Sequence, residues 1–409
     1  MKRSPIVYFL FLFSGITALI YEVVWTRMLT LAFGHTVFSV SIVLASFMAG
    51  LGFGSYFSGH AINHVGGKKT HSDSSNLSGE LSEDLETSSP LLIYGWIEIA
   101  LFLVCLIVSL ILFKFSFVYS WFSFFISEST LVQNIFKSFL AFILMFVPAS
   151  LMGATLPIIS KYYITDNIRL DSRLGLLYAI NTLGAALGCL LAGFFLIANF
   201  GVLQTVLAAT LLNLFIGISA IRIYQESIEK SVGLRFPTFT IPKISLKGDQ
   251  WLWIVVSFVC GFTALAYEVL WTRLLVFSTS STVYSFSMML GVFLIGIALG
   301  SFLVVAIFRS SLDLRTVLIF LQVSIGLYVI GSLYNMEQLL SAPWNGYNLQ
   351  KPAFVFWRYF LDSSALMLFP TIALGMSFPI LIKIISDGYE HIGKGTGQIY
   401  GGNTFGAIL

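Results

Sequence analysis

The sequence predicts an all-α polytopic membrane protein of two parallel six-helix repeats, the second incomplete, with about 10–11 transmembrane helices present. Three observations predict it: extreme apolarity, a ladder of long apolar stretches, and an internal repeat. Hydrophobic residues make up 57% of the 409 and charged residues only 10%, with 16% aromatic. A water-soluble globule of this length cannot be so apolar, so lipid is the solvent for most of the chain.

Taken in order, stretches of spanning length, about 20 residues each, fall near 5–25, 36–59, 91–113, 134–160, 174–200 and 202–221. A second series falls near 251–276, 282–307, 314–334 and 355–384, and an eleventh begins near 397. The first stretch follows Lys2 and Arg3 as a signal peptide would, but no small-residue cleavage site ends it, so it reads as a true span. The shorter aromatic run at 115–127 reads as interfacial. The polar segment 60–90 reads as a cytoplasmic loop, disordered from His71 because it is rich in Ser and acids. Residues 222–250 form a basic cytoplasmic linker, dividing a first membrane repeat, 1–221, from a second, 251–409.

Of the 22 Lys and Arg residues, only Arg27, Lys114, Lys137, Arg273, Lys351 and Arg358 fall in outside loops if the N-terminus is cytoplasmic. The positive-inside bias therefore selects that orientation, in a cell inner (plasma) membrane. The net charge of +3 is small and the basic residues are scattered, which leaves no footprint for nucleic acid. Cys105, Cys189 and Cys260 lie in apolar runs without metal-site spacing and read as small core residues.

GITALIYEVVWTR at 15–27 returns as GFTALAYEVLWTR at 261–273, and the register holds through the following helix. GATLPIISK at 153–161 matches GMSFPILIK at 375–383, and YAINTLGAAL at 178–187 matches YGGNTFGAIL at 400–409. The offset shrinks because the second copy lacks a counterpart of the polar insert. Six spans separate equivalent segments, so the repeats run parallel, the arrangement of major facilitator superfamily (MFS) transporters. Gly59, Asn63, Gly66, Lys68 and Lys69 also follow the spacing of that superfamily's loop between helices 2 and 3. The second copy stops at Leu409 within its fifth helix, which reads as a fragment or a truncated gene, since a chain ending mid-membrane leaves unpaired carbonyls in hydrocarbon.

GxTALxYEVxWTR, TVxSxSxxLxxFxxGxxxGS, GATLP and YAINTLGAALGCLLAGF together resemble the membrane portion of the bacterial fused MFS/spermidine synthase family. The resemblance implies a following aminopropyltransferase-like domain that uses decarboxylated S-adenosylmethionine and a diamine. No soluble block here is long enough to hold one and no strand precedes a GxGxxG motif, so neither catalytic residue nor cofactor is assigned. GKGTGQIYGG at 393–402 mimics a phosphate loop but lacks the GxxxxGK[ST] order.

Gly50 with Gly54, Gly184 with Gly188, and Gly296 with Gly300 are each four apart, placing small residues on one helix face for close packing. Pro148, Pro157, Pro370 and Pro379 recur in the fourth helix of each copy, where they kink it, as part of a cavity lining or as a structural bend. Ionisable side chains within lipid are costly and usually face a cavity or a partner. Glu22, Glu98, Glu268 and Asp362 are therefore the candidates for a substrate pathway, with Arg27, Arg273 and Gln322, the repeat position of Glu98. Arg358 stands one turn before Asp362 and can pair with it.

Two accounts of the repeated YEVxWTR stay open. In one, Glu22 and Glu268 present two carboxylates from outer helix ends to a shared cavity suited to a cationic amine, with Arg27 and Arg273 limiting their repulsion. In the other, each Glu pairs with its own Arg. For the chain as a whole three readings stand: a spermidine synthase-like membrane module serving as anchor or conduit, a free-standing transporter of a small cationic solute, or a scaffold. The partners expected are the lipid bilayer and a polyamine-like small molecule.

Overall fold

The computed structural model describes residues 6–33, 36–63, 78–115, 117, 119, 130–163, 170–227, 250–279, 282–334, 352–385 and 389–409. These residues are helical almost throughout. The first half comprises α1 (Ile6–Phe33), α2 (Thr36–Asn63), α3 (Ser78–Phe113), α4 (Thr130–Tyr163), α5 (Leu170–Leu191) and α6 (Ile197–Ser227). The second comprises α7 (Gln250–Thr279), α8 (Thr282–Phe308), α9 (Leu314–Tyr334), α10 (Pro352–Ile385) and α11 (Tyr389–Ile408). Nine stretches among the described residues are long and apolar enough to cross a membrane. One, Leu176–Glu226, has 51 residues, or ~75 Å as a straight helix. It is two crossings rather than one, because the chain turns at Gly201, whose φ of 78° is open to glycine at little cost. A π-helical turn, Ala192–Leu196, links α5 to α6.

The repeat is written into the packing. α1 lies on α5 as α7 lies on α11, and α2 on α4 as α8 on α10. Gly15 abuts the Asn181 carbonyl, and at the repeat positions Gly261 abuts the Asn403 carbonyl. Gly184 meets Leu12 O as Gly406 meets Phe258 O; Gly54 meets Ser150 O as Gly300 meets Ile372 O. Ser55 Oγ donates to Gly153 O at 2.7 Å, and Ser301 Oγ to Gly375 O at 3.1 Å. Gly50, Gly188 and Gly296 likewise press on a neighbouring helix. Helices approach here until backbone meets backbone, which only glycine permits and which substitutes for the hydrophobic drive that lipid removes. Pro148, Pro157, Pro370 and Pro379 lie inside α4 and α10. The halves meet through α5 against α8 and α2 against α11. The architecture is that of two parallel MFS-like repeats.

One expectation changes. α3 starts at Ser78, well ahead of its apolar span, so the backbone of 78–90 is helical rather than disordered. The remainder of the insert, including Gly66, Lys68 and Lys69, and linker residues 228–249 lie outside the described residues. α9 opens on Asp313, which accepts from the Thr316 hydroxyl at 2.8 Å and from its N–H at 3.0 Å. Those bonds cap the helix and hold the exposed carboxyl below its ordinary range.

Candidate functional site

Glu22 and Glu268 do not sit at helix ends. α1 continues past Arg27 to Phe33, and α7 past Arg273 to Thr279, so both carboxyls lie well inside their helices. They are 2% and 1% exposed. The apolar stretch ends near position 25 in sequence because it tracks hydropathy, whereas the helix persists through the Thr-rich turn that follows. Five residues rotate a helix by about 500°, which leaves each Arg about 140° around from its Glu. Accordingly neither Glu pairs with its own Arg; Arg27 is half-buried and Arg273 exposed.

The two carboxyls, one from each half, instead lie near enough for the charge of Glu268 to act on Glu22. Oε1 of each is buried without a hydrogen-bond partner. The local frame obeys the pseudo-twofold closely: Tyr21 stacks on Trp25 at 5.4 Å and 23°, and Tyr267 on Trp271 at 5.4 Å and 25°. Thr26 Oγ1 donates to Glu22 O at 2.7 Å, and Thr272 Oγ1 to Glu268 O at 2.8 Å. The Cys189 thiol of α5 senses both carboxylates and donates to Ser287 O of α8 at 3.3 Å. One turn on, Gly193 of the π-turn presses against the Ser287 side chain, where any Cβ would collide. Four helices, two per half, thus converge on a like-charged pair. An ionised carboxylate buried without compensation is strongly unfavourable, so this arrangement calls for protons or a cation.

Aromatic side chains bracket the pair along α5. Toward the face where α5 ends, Phe194 stacks on Tyr284 at 5.0 Å and meets Phe356 edge-on at 5.1 Å. Toward the face where α1 begins, Tyr178 stacks on Phe378 at 6.0 Å, and Tyr400 meets Phe378 edge-on at 5.7 Å. Tyr178 and Tyr400 are repeat equivalents, but Phe378, which both meet, has Leu156 as its repeat counterpart, so this bracket follows the twofold only in its tyrosines. At ~1.5 Å per residue, Tyr178 lies ~16 Å along α5 from Cys189. The carboxyls between these clusters are themselves buried.

The other candidates are not brought to this centre. Glu98, fully buried, belongs to the interior of the first half: Ser14 Oγ donates to its Oε1 and Asn213 Nδ2 to its Oε2, each at 2.6 Å. Gln322 Nε2 donates to Ser377 Oγ of α10 at 2.9 Å, within the second half. Arg358 Nε lies 3.7 Å from Asp362 Oδ2 near the start of α10, beside Tyr284 and Tyr359. Residues that sequence reasoning passed over are Cys189, Ser14, Asn213 and the aromatic brackets. Of these, Tyr178 and Tyr400 carried a signal, since both open the repeated segment at 178 and 400. Among the described residues no group of three or more His, Cys, Asp and Glu side chains could hold a metal ion.

No family model matches the chain, and no curated protein matches it. Its fold is similar to a crystal structure of a bacterial homologue of the iron transporter ferroportin in an outward-facing state, with a TM-score of 0.54 and 14% identity. The likeness covers 98% of this chain and 89% of that one.

Proposed function

We propose that this multi-pass membrane protein is an MFS-type secondary transporter of a small cationic solute, bound between Glu22 and Glu268. The observation that carries this reading is the pair itself: two buried carboxyls at equivalent repeat positions, close enough for charge to act between them, each with an oxygen lacking a partner. A cation supplies the missing charge and hydrogen bonds at once. The fold supports a rocking motion of one half against the other around a fixed site, and the aromatic brackets supply a closure on each side. A polyamine is the solute to test first, because the YEVxWTR, GATLP and YAINTLGAAL segments resemble the membrane part of the fused spermidine synthase family. On the positive-inside bias, the N-terminus and the face carrying Tyr178 and Tyr400 are cytoplasmic, in the inner membrane.

Uptake of radiolabelled spermidine into proteoliposomes tests the reading. Saturable uptake by the wild type, competed by unlabelled spermidine and absent from protein-free vesicles, is the expected outcome. Accumulation no faster than in empty vesicles would count against it.

A further inference from the structure

Glu98 is a buried carboxyl that the central site does not use, and its surroundings differ in kind from those of Glu22 and Glu268. Both its oxygens are occupied, by Ser14 of α1 and Asn213 of α6. Asn213 Oδ1 in turn accepts from Tyr21 Oη at 2.9 Å, and Tyr21 immediately precedes Glu22. Tyr21 stacks on Trp25, whose Nε1 donates to Ser109 Oγ at 2.8 Å. A continuous polar chain thus runs from Glu98 through α6 to the residue beside the central pair.

The titratable groups facing Glu98 are Tyr21 from α1 and Tyr94 and Cys105 from α3 itself. Asn213 is what α6 offers, and the buried side chains along the middle of α4, Ala141, Met145, Ala149 and Met152, are apolar. Among the described residues no cation pairs with the carboxylate. A repeat that copies its glycines, serines and stacked aromatics so closely does not copy this group: Gln322 stands at the Glu98 position and Cys260 at that of Ser14. An amide cannot take up a proton in this range, and a carboxyl can. The Ser14 hydroxyl suits either form, because it donates to a carboxylate and accepts from a carboxylic acid.

We propose that Glu98 is a proton-binding site separate from the central pair, loading and releasing one proton in each transport cycle. The step is simple: a proton from solvent joins the carboxylate, and the same proton returns to solvent. Glu98 is 0% exposed, so loading requires the helices around it, α1 among them, to part. α1 also carries Ser14, Tyr21 and Glu22, and the movement that admits the proton is the one that opens the central pair. The inference rests on the transport reading for its coupling role, but not for the existence of the site.

Infrared difference spectra of the purified protein between acid and alkaline pH test the site without any solute. A protonated-carboxyl band that changes with pH should be present in the wild type and in the E22Q/E268Q variant, and missing from E98Q. Ser14→Ala, which keeps the carboxyl and removes one hydrogen bond, should shift that band, and it decides the matter if E98Q fails to fold. Identical wild-type and E98Q spectra, or an unshifted band in Ser14→Ala, overturn the proposal. In proteoliposomes, E98Q should equilibrate spermidine down its gradient yet lose acceleration by an imposed pH gradient. Acceleration equal to wild type overturns the coupling role. Failure of the wild type to move spermidine at all defeats the transport reading and leaves the infrared result to decide Glu98.

Discussion

At residue scale, the central pair is a stored liability. Even a paired buried ion pair can often be replaced by well-packed neutral residues at no cost or with a gain of about 1–4 kcal/mol, and a buried like-charged pair without compensation has less to lose. Glu22→Gln and Glu268→Gln together should therefore raise the thermal stability of the solute-free protein, read by the unfolding midpoint in detergent. A fall of several degrees would mean that an unseen partner compensates the carboxyls. Glu98 predicts the opposite sign. Its oxygens are fully bonded, so Asn213→Leu should cost about 1–3 kcal/mol by stranding a carboxyl oxygen and the Tyr21 hydroxyl. Sequence alone named all three glutamates as costly in lipid, yet it could not separate a satisfied carboxyl from an unsatisfied one. That distinction depends on Ser14 and Asn213, whose positions relative to Glu98 are set by helix packing rather than by spacing along the chain.

At the scale of elements, the helices are held by backbone contact at glycine. Gly184→Leu would drive a side chain into the Leu12 carbonyl, which has no rotamer with which to yield, and Gly406→Leu would do the same at Phe258. Both should sharply lower the yield of folded protein in size-exclusion chromatography, since overpacking typically costs about 1–3 kcal/mol or more. Gly326→Leu on α9, where nothing lies within 4 Å, should be tolerated within about 0.5 kcal/mol. Equal sensitivity at all three positions would contradict this account of packing. The paired glycines were legible in sequence because a four-residue spacing fixes a helix face. The extent of α1 and α7 was not, since a run of hydropathy ends where polar residues begin while the hydrogen-bonded helix does not. The early start of α3 was missed for the same reason.

At the scale of the molecule, the parallel repeat was legible down to individual residues, because duplicated sequence keeps duplicated contacts. Offsets of 246 and 222 between the aligned segments pair Gly15 with Gly261, Asn181 with Asn403 and Tyr178 with Tyr400, and the structure gives the two Gly–Asn pairs the same contact. What sequence could not decide was which of the two accounts of the repeated glutamates holds, because two equivalent residues meet only if both face the axis, and periodicity does not say where the axis runs. Orientation in the membrane is a separate prediction. Single cysteines at Ser78 and Gly346 should be labelled by an impermeant reagent from opposite sides, as the positive-inside bias requires. Labelling from one side would refute that topology.

The central claim, that Glu22 and Glu268 form one cation site, is tested most directly by equilibrium binding of spermidine to purified protein. A charge-assisted hydrogen bond contributes about 1.5–3 kcal/mol, so loss of two should weaken binding by a factor of about 100 or more. The account predicts that E22Q and E268Q each impair binding, and that the folded double variant loses it. Spermidine affinity in the folded double variant equal to that of the wild type would contradict it, and would leave YEVxWTR as a duplicated structural element.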